Sequence, residues 1–179
     1  KINKPMVPFF EPKAASNAYG IAVTDPALLY KEKLENGLKG SVTLKIDVPV
    51  GGTAKLMARV RGMSRLECES YTTGWPEGGE TGKGSFSVKV DGKPAGRIPV
   101  SGYGWKWVPL EAGTMPLTEG RHEVVFETGD TGIALDDILV TNDLEFTPSG
   151  KGSAPTMAPS VPSGLKAEGM VVQGEELQT

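Results

Sequence analysis

One cysteine and one histidine stand among 179 residues, and each scarcity closes off a kind of chemistry. With Cys68 alone, no disulfide forms within the chain and cysteine usage does not reveal a redox compartment; a buried, inert thiol is the plain reading. With His122 alone, a multi-histidine metal centre is out of reach. Positive charge is not in excess either. The 19 Lys and Arg against 22 Asp and Glu leave a net charge of −3, without the clustered basic face that nucleic acid requires. No apolar run approaches the roughly 18 residues of a membrane-spanning helix. The opening "KINKPMVPFF" is too short in its apolar part, and too broken by proline, to read as a signal peptide. An exported protein is therefore expected here in processed form. Aromatic residues are few (3 Trp, 4 Tyr and 5 Phe), which limits the rings a recognition surface can offer.

What the chain has in abundance is glycine and proline, 24 and 14 residues. Together they favour short strands and turns over helix bundles. "SVTLKIDVPVGG" alternates Val42, Leu44, Ile46 and Val48 against Thr43, Lys45 and Asp47, a half-buried strand closed by Pro49 and Gly51-Gly52. "TAKLMARVRG" sends Leu56, Ala58 and Val60 inward and Lys55, Met57, Arg59 and Arg61 outward. "GSFSVKVDGK" puts Phe86, Val88 and Val90 on one face and then turns at Asp91-Gly92, a dipeptide that tolerates positive φ. "WKWVPL", "RHEVVFET" and "GIALDDILVTND" supply further strands. The spacing predicts an all-β, antiparallel sandwich rather than a parallel α/β sheet. "DPALLYKEKLENG" is a short helix or a wrapping loop, with Asp25 as N-cap, Pro26 at the first helical position and Gly37 as stop.

Two regions stand apart. Residues 1–147 form the expected sandwich, whereas 148–179 begin with a Pro/Ser/Gly-rich stretch of linker composition. Met170-Val171-Val172 is the tail's one apolar patch. The tail is a spacer, or an arm that adds a strand to a partner's sheet edge. The other anomaly is Asp136-Asp137, two acids within a run that otherwise reads as a buried strand. Alternating side chains leave at most one of them facing water. Its neighbour must then be paired, metal-bound or at a strand end, because an unpaired buried charge is too costly.

No catalytic constellation emerges, and the chain reads as a non-enzyme. His122 alternates with Val124 and Phe126, as a half-buried residue at a strand start does, its ring held by backbone. "GKGS" lacks the following helix that a phosphate loop requires.

The order of "GGTAKLMARVRG", "GSFSVKVDGK" and "GWKWVPLEAGTMPLTEGRHEVVFETGDTGIALDDILVTND" resembles the non-catalytic carbohydrate-binding modules with a galactose-binding-like, jelly-roll β-sandwich. The likeness covers about residues 40–143, with a first strand near residues 6–16. It implies that Trp107 is a core residue and that the strand acid, Asp136, joins an N-terminal acid, Glu11, around a structural calcium ion. Lys13 stands where such modules often carry a second N-terminal acid. Without the metal, Asp136 caps a turn or pairs with a base such as Lys13, and Asp137 is solvated.

Sugars are held by aromatic faces against their C–H surfaces and by polar side chains at their hydroxyls. The polar stretch 67–84 carries Tyr71 and Trp75, and Tyr103 and Trp105 stand near a turn. Arg61 is a candidate for the same loop end, or a plain solvated arginine. Two functions follow as expectations. One is a glycan- or polysaccharide-binding module of an exported, cell-surface or periplasmic protein, joined through its tail to a larger enzyme. The other is an accessory subunit of a surface assembly that uses loops and tail for protein contacts.

Overall fold

The computed structural model describes residues 1–4, 6–10, 19–23, 39–64, 67, 82–130, 132–151 and 170–172. Eleven strands are found there: β1 (Ile2–Asn3), β2 (Met6–Phe10), β3 (Tyr19–Val23), β4 (Gly40–Val48), β5 (Gly52–Gly62), β6 (Lys83–Val90), β7 (Lys93–Ser101), β8 (Lys106–Leu117), β9 (Gly120–Thr128), β10 (Ile133–Thr141) and β11 (Met170–Val172). They form two antiparallel sheets. The first runs β1-β4-β9-β6-β7 and the second β2-β3-β10-β5-β8, with β11 beside β10. The all-β sandwich read from the sequence is the fold. The segment 25–37, Cys68 and most of the tail lie outside the described residues.

Alternation sets the core. Val42, Leu44 and Ile46 of β4, Phe86 and Val88 of β6, and Val124 and Phe126 of β9 point from the first sheet into one cluster. Leu56, Ala58 and Val60 of β5, with Ile133, Leu135, Ile138 and Val140 of β10, meet them from the second. Burial of so many aliphatic and aromatic side chains supplies the main driving force for folding.

The outer faces differ. On the first sheet, exposed charges pair across strands, as Arg121 does with Asp47 at 3.1 Å. Such exposed pairs contribute little to stability. On the second sheet, β5 and β10 are buried on both faces. The segment after β10 folds across the outer face of β5. Lys55 Nζ donates to the carbonyls of Leu144 and Phe146, and Arg59 Nε donates to that of Gly150. The side chains expected to point outward do so, but into a covering layer.

The Asp91-Gly92 turn forms between β6 and β7, with Asp91 at φ +49°. Asp91 also ties the turn to β9, because its Oδ1 accepts from the Glu123 N–H and its Oδ2 lies 2.6 Å from His122 Nδ1. The other ring nitrogen, Nε2, sits 2.9 Å from the Thr118 carbonyl. The ring is thus held by a carboxylate as well as by backbone. These two acceptors, Asp91 foremost, raise the His122 pKa above its ordinary 6.5 against the opposing effect of burial. The Glu123 N–H and His122 in turn lower that of Asp91 below 3.8.

The signs give a testable profile. Stability contributed by His122 is fully present below pH 6.5 and is lost as pH rises through its higher folded value. That of Asp91 is present above pH 3.8 and is lost as pH falls through its lower folded value. Urea denaturation of the wild type across this range should show the alkaline decline, and His122→Gln should flatten it. An unchanged slope in the variant would discount the contact.

Candidate binding face and loop end

The two acids of β10 both reach the outer face, and a β-bulge is the reason. Leu135 pairs with Val60 and Asp137 with Arg59, so the register shifts and Asp136 is the extra residue. A bulge sets two side chains of one strand against one on its partner. Alternation resumes on either side, with Leu135 and Ile138 both in the core. The assumption that neighbouring acids must point to opposite faces fails at this position.

Asp136 Oδ2 accepts from Arg59 Nη1, and the two side chains are 1% and 6% exposed. The base that answers Asp136 is therefore Arg59. Asp137, expected to be solvated, is 3% exposed, and its Oδ1 accepts from the Ile138 N–H. Arg61, two residues along β5, is also buried, at 5%, and Nη1 donates to Glu67 Oε1 at 2.8 Å. The reading of Arg61 as a solvated arginine is corrected by this pair. Burial pushes the Glu67 carboxyl up. The Ser64 N–H, the Arg61 guanidinium and the Ser64 hydroxyl outweigh that effect and hold it below the ordinary range.

Trp105 completes the arrangement. Its ring centroid lies 5.2 Å from the guanidinium carbons of both Arg59 and Arg61, within cation–π range. The ring packs with Phe9, Ala22, Met63 and Ala134 in a second apolar cluster on the outer face. Gly20 makes room for it, since a Cβ there would fall 2.7 Å from Phe9 Cε1 and 3.3 Å from Trp105 Cη2. Trp107, expected in the core, pairs with Arg59 and so stands on the outer face of β8. Val108 and Leu110 contact the core instead. The sequence marked β8 as a strand, but not which of its faces is inward.

Beyond this cluster lies one end of the sandwich, where glycine backbones bridge the sheets. Gly62 N–H donates to the Gly102 carbonyl at 2.7 Å, and Gly102 N–H to that of Gly82 at 3.0 Å. Met63 N–H donates to the Gly132 carbonyl at 2.7 Å. A Cβ on Gly62 would stand 2.2 Å from Gly82 Cα, so the approach requires glycine. Tyr103 lies over Gly82 and is 57% exposed. The segment bearing Tyr71 and Trp75 departs from Ser64 and returns at Gly82; those two aromatics lie outside the described residues. The structure thus brings Arg61 and Trp105 together beneath the loop end and sets Tyr103 on its surface. Sequence reasoning missed Arg59 and Glu67, although Arg59 sits at the outward phase of β5 opposite an unexplained pair of acids.

The fold is an antiparallel β-sandwich similar to that of a carbohydrate-binding module. Among solved structures, the chain is similar to a family 35 carbohydrate-binding module from Clostridium thermocellum, at 14% identity over 78% of this chain and 89% of that one, TM-score 0.51. It is similar to the cycloisomaltooligosaccharide glucanotransferase of a Paenibacillus species solved with cycloisomaltoheptaose, at 18% identity and TM-score 0.51. That match covers 77% of this chain but 16% of the glucanotransferase. An exo-beta-1,3-galactanase from Phanerochaete chrysosporium, solved with beta-1,3-galactotriose, gives 16% identity over 78% of this chain and 27% of that one, TM-score 0.50. No family model and no curated protein sequence matches the chain.

The described residues do not fit a calcium site at Asp136. A guanidinium occupies its Oδ2, and no three His, Cys, Asp or Glu side chains converge among the described residues. Calcium wants 6 to 8 oxygens, about 2.3 to 2.6 Å away. Glu11 lies outside the described residues.

Two measurements follow. Removing one partner of a buried ion pair costs about 3–5 kcal/mol, so Asp136→Ala should destabilise strongly in urea titration. The double variant Arg59→Met/Asp136→Leu should recover much of that loss. Additive losses would mean the two side chains act separately. Chelation by EDTA should leave Tm unchanged, because Arg59 already neutralises Asp136; a fall of several degrees that calcium reverses would restore the Glu11–Asp136 metal site.

Proposed function

We propose that this chain is a non-catalytic glycan-binding module whose ligand surface is the loop end around Tyr103. The observation that carries the reading is the placement of that ring. It is a large aromatic, 57% exposed, seated on backbone at the point where the segment bearing Tyr71 and Trp75 leaves and returns. An aromatic face at a loop end suits the C–H surface of a sugar ring. The fold likeness to a carbohydrate-binding module, and to sandwiches within two enzymes that act on glycans, supports the same reading. The share of each neighbour covered, nearly all of the isolated module but a small part of either enzyme, suits a single module carried by a larger protein.

Non-catalytic action is supported by His122, both of whose ring nitrogens are engaged by Asp91 and Thr118. A polysaccharide ligand suits a protein outside the cytoplasm, at a cell surface, in a periplasm or in the medium. The competing reading, an accessory subunit of a surface assembly, draws on the tail strand β11, which pairs with the stretch of β10 that β3 leaves open.

A polysaccharide panel followed by calorimetry tests the proposal. Tyr103→Ala and Trp75→Ala should each weaken glycan affinity about tenfold, or about 1.4 kcal/mol. Lys89→Ala, on the outer face of the other sheet, should leave it unchanged. Affinity that survives both aromatic substitutions would remove the loop end as the site. Failure to bind any plant, fungal or bacterial polysaccharide would remove the glycan reading itself.

A further inference from the structure

The C-terminal strand is a three-residue strand beside β10. Ile138, Leu139 and Val140 of β10 pair with Val172, Val171 and Met170 of β11. The same edge of β10 is occupied further back by β3, through Ala134 and Leu135, while β5 fills the opposite edge. β11 therefore caps a gap that β3 leaves. An uncovered edge with the sequence Ile-Leu-Val-Thr offers unpaired N–H and C=O groups to any extended chain.

The cap is joined to the sandwich by residues 152–169, rich in Pro, Ser, Gly and Ala. Gly150 is fixed above β5 by Arg59, whose strand partner is Asp137, and Met170 pairs with Val140. Two strand spacings sideways and three residues lengthwise separate these points, roughly 15 Å in all. The nineteen intervening residues reach about 65 Å when extended. The connection is thus several times longer than closure onto the same molecule demands.

We infer that β11 is an exchangeable strand: it passes to the β10 edge of a second copy of this chain, and the two copies form a reciprocal, strand-swapped dimer. Every contact of the exchanged form is one the chain already makes with itself, so no new surface is needed. A tethered segment competes with an effective concentration on the order of millimolar, which sets where exchange begins. Dilute protein closes on itself, and protein crowded to that level pairs. Glycan binding at the loop end does not enter, so the two proposals stand or fall separately.

Sedimentation velocity on the full chain reads this directly. The wild type should be monomeric near 10 µM and increasingly dimeric toward about 1 mM. Deleting residues 152–169 leaves two peptide links between Gly150 and Met170, about 7 Å, too short to close within one molecule. That chain should be dimeric already at about 10 µM, a drop of roughly 100-fold in the concentration needed. Val171→Pro removes a strand N–H and should return the shortened chain to monomer. A shortened chain that stays monomeric overturns the inference, as do dimers or larger species that persist with Val171→Pro.

Discussion

A guanidinium buried on the outer face of a sheet dictates much of what surrounds it. Arg59 lies in the middle of β5, 5% exposed, where an unpaired charge would cost several kcal/mol. The bulge in β10 answers that cost by adding one residue, Asp136, whose carboxylate meets the guanidinium without disturbing the core phase on either side. The remaining N–H groups require acceptors too. The Gly150 carbonyl supplies one, which draws the segment after β10 across the sheet. Trp105 then lies against both Arg59 and Arg61, closing the layer with a flat apolar ring instead of water.

The pairing has a consequence for recognition. A twisted sheet with one open face is an obvious place for an elongated ligand, and the second sheet would have offered one. Its outer face is instead occupied by its own ion pairs, by Trp105 and by residues 144–150. The first sheet presents exposed charge ladders without aromatic rings among its outward side chains on β4, β6 and β9. Among the described residues two large aromatics are exposed, Phe10 at the end of β2 and Tyr103, and Tyr103 is the one at the loop end.

Much of this was legible in the sequence, and the part that was not has a common physical cause. Period-two alternation gave the inward sets of β4, β5, β6 and β9 correctly, and Asp91-Gly92 gave its hairpin, because both signals are local. The oddity of Asp136-Asp137 was legible as well. Its resolution was hidden, because a bulge is a property of two strands and leaves no mark on one. Arg59 and Asp136 are 77 residues apart in the chain, and only the register of β5 against β10 joins them. Trp107 failed for a related reason: a strand with aromatic and aliphatic residues on both faces does not declare which face is inward. Arg61 was read as solvated because its outward phase was taken for exposure, and a covering layer breaks that equivalence.

The loop end and the part of β10 beside β11 show opposite physical characters, and that contrast bears on what each can do. At the loop end, Gly62 of β5 bonds backbone to backbone with Gly102, which follows β7 of the other sheet, Gly102 bonds in turn with Gly82, and Gly132 adds its carbonyl to Met63. An aromatic ring seated on such a base loses little conformational freedom when a ligand arrives, so more of its contact energy appears as affinity. At the β10 edge, three residue pairs and a long tether hold β11, and nothing in that arrangement distinguishes one copy's strand from another's. A rigid end suits selective capture of a ligand, and a strand joined by three residue pairs suits the proposed exchange between identical molecules. The two proposals are compatible in one sandwich, because its charged, doubly covered sheet fixes the core independently of the last strand.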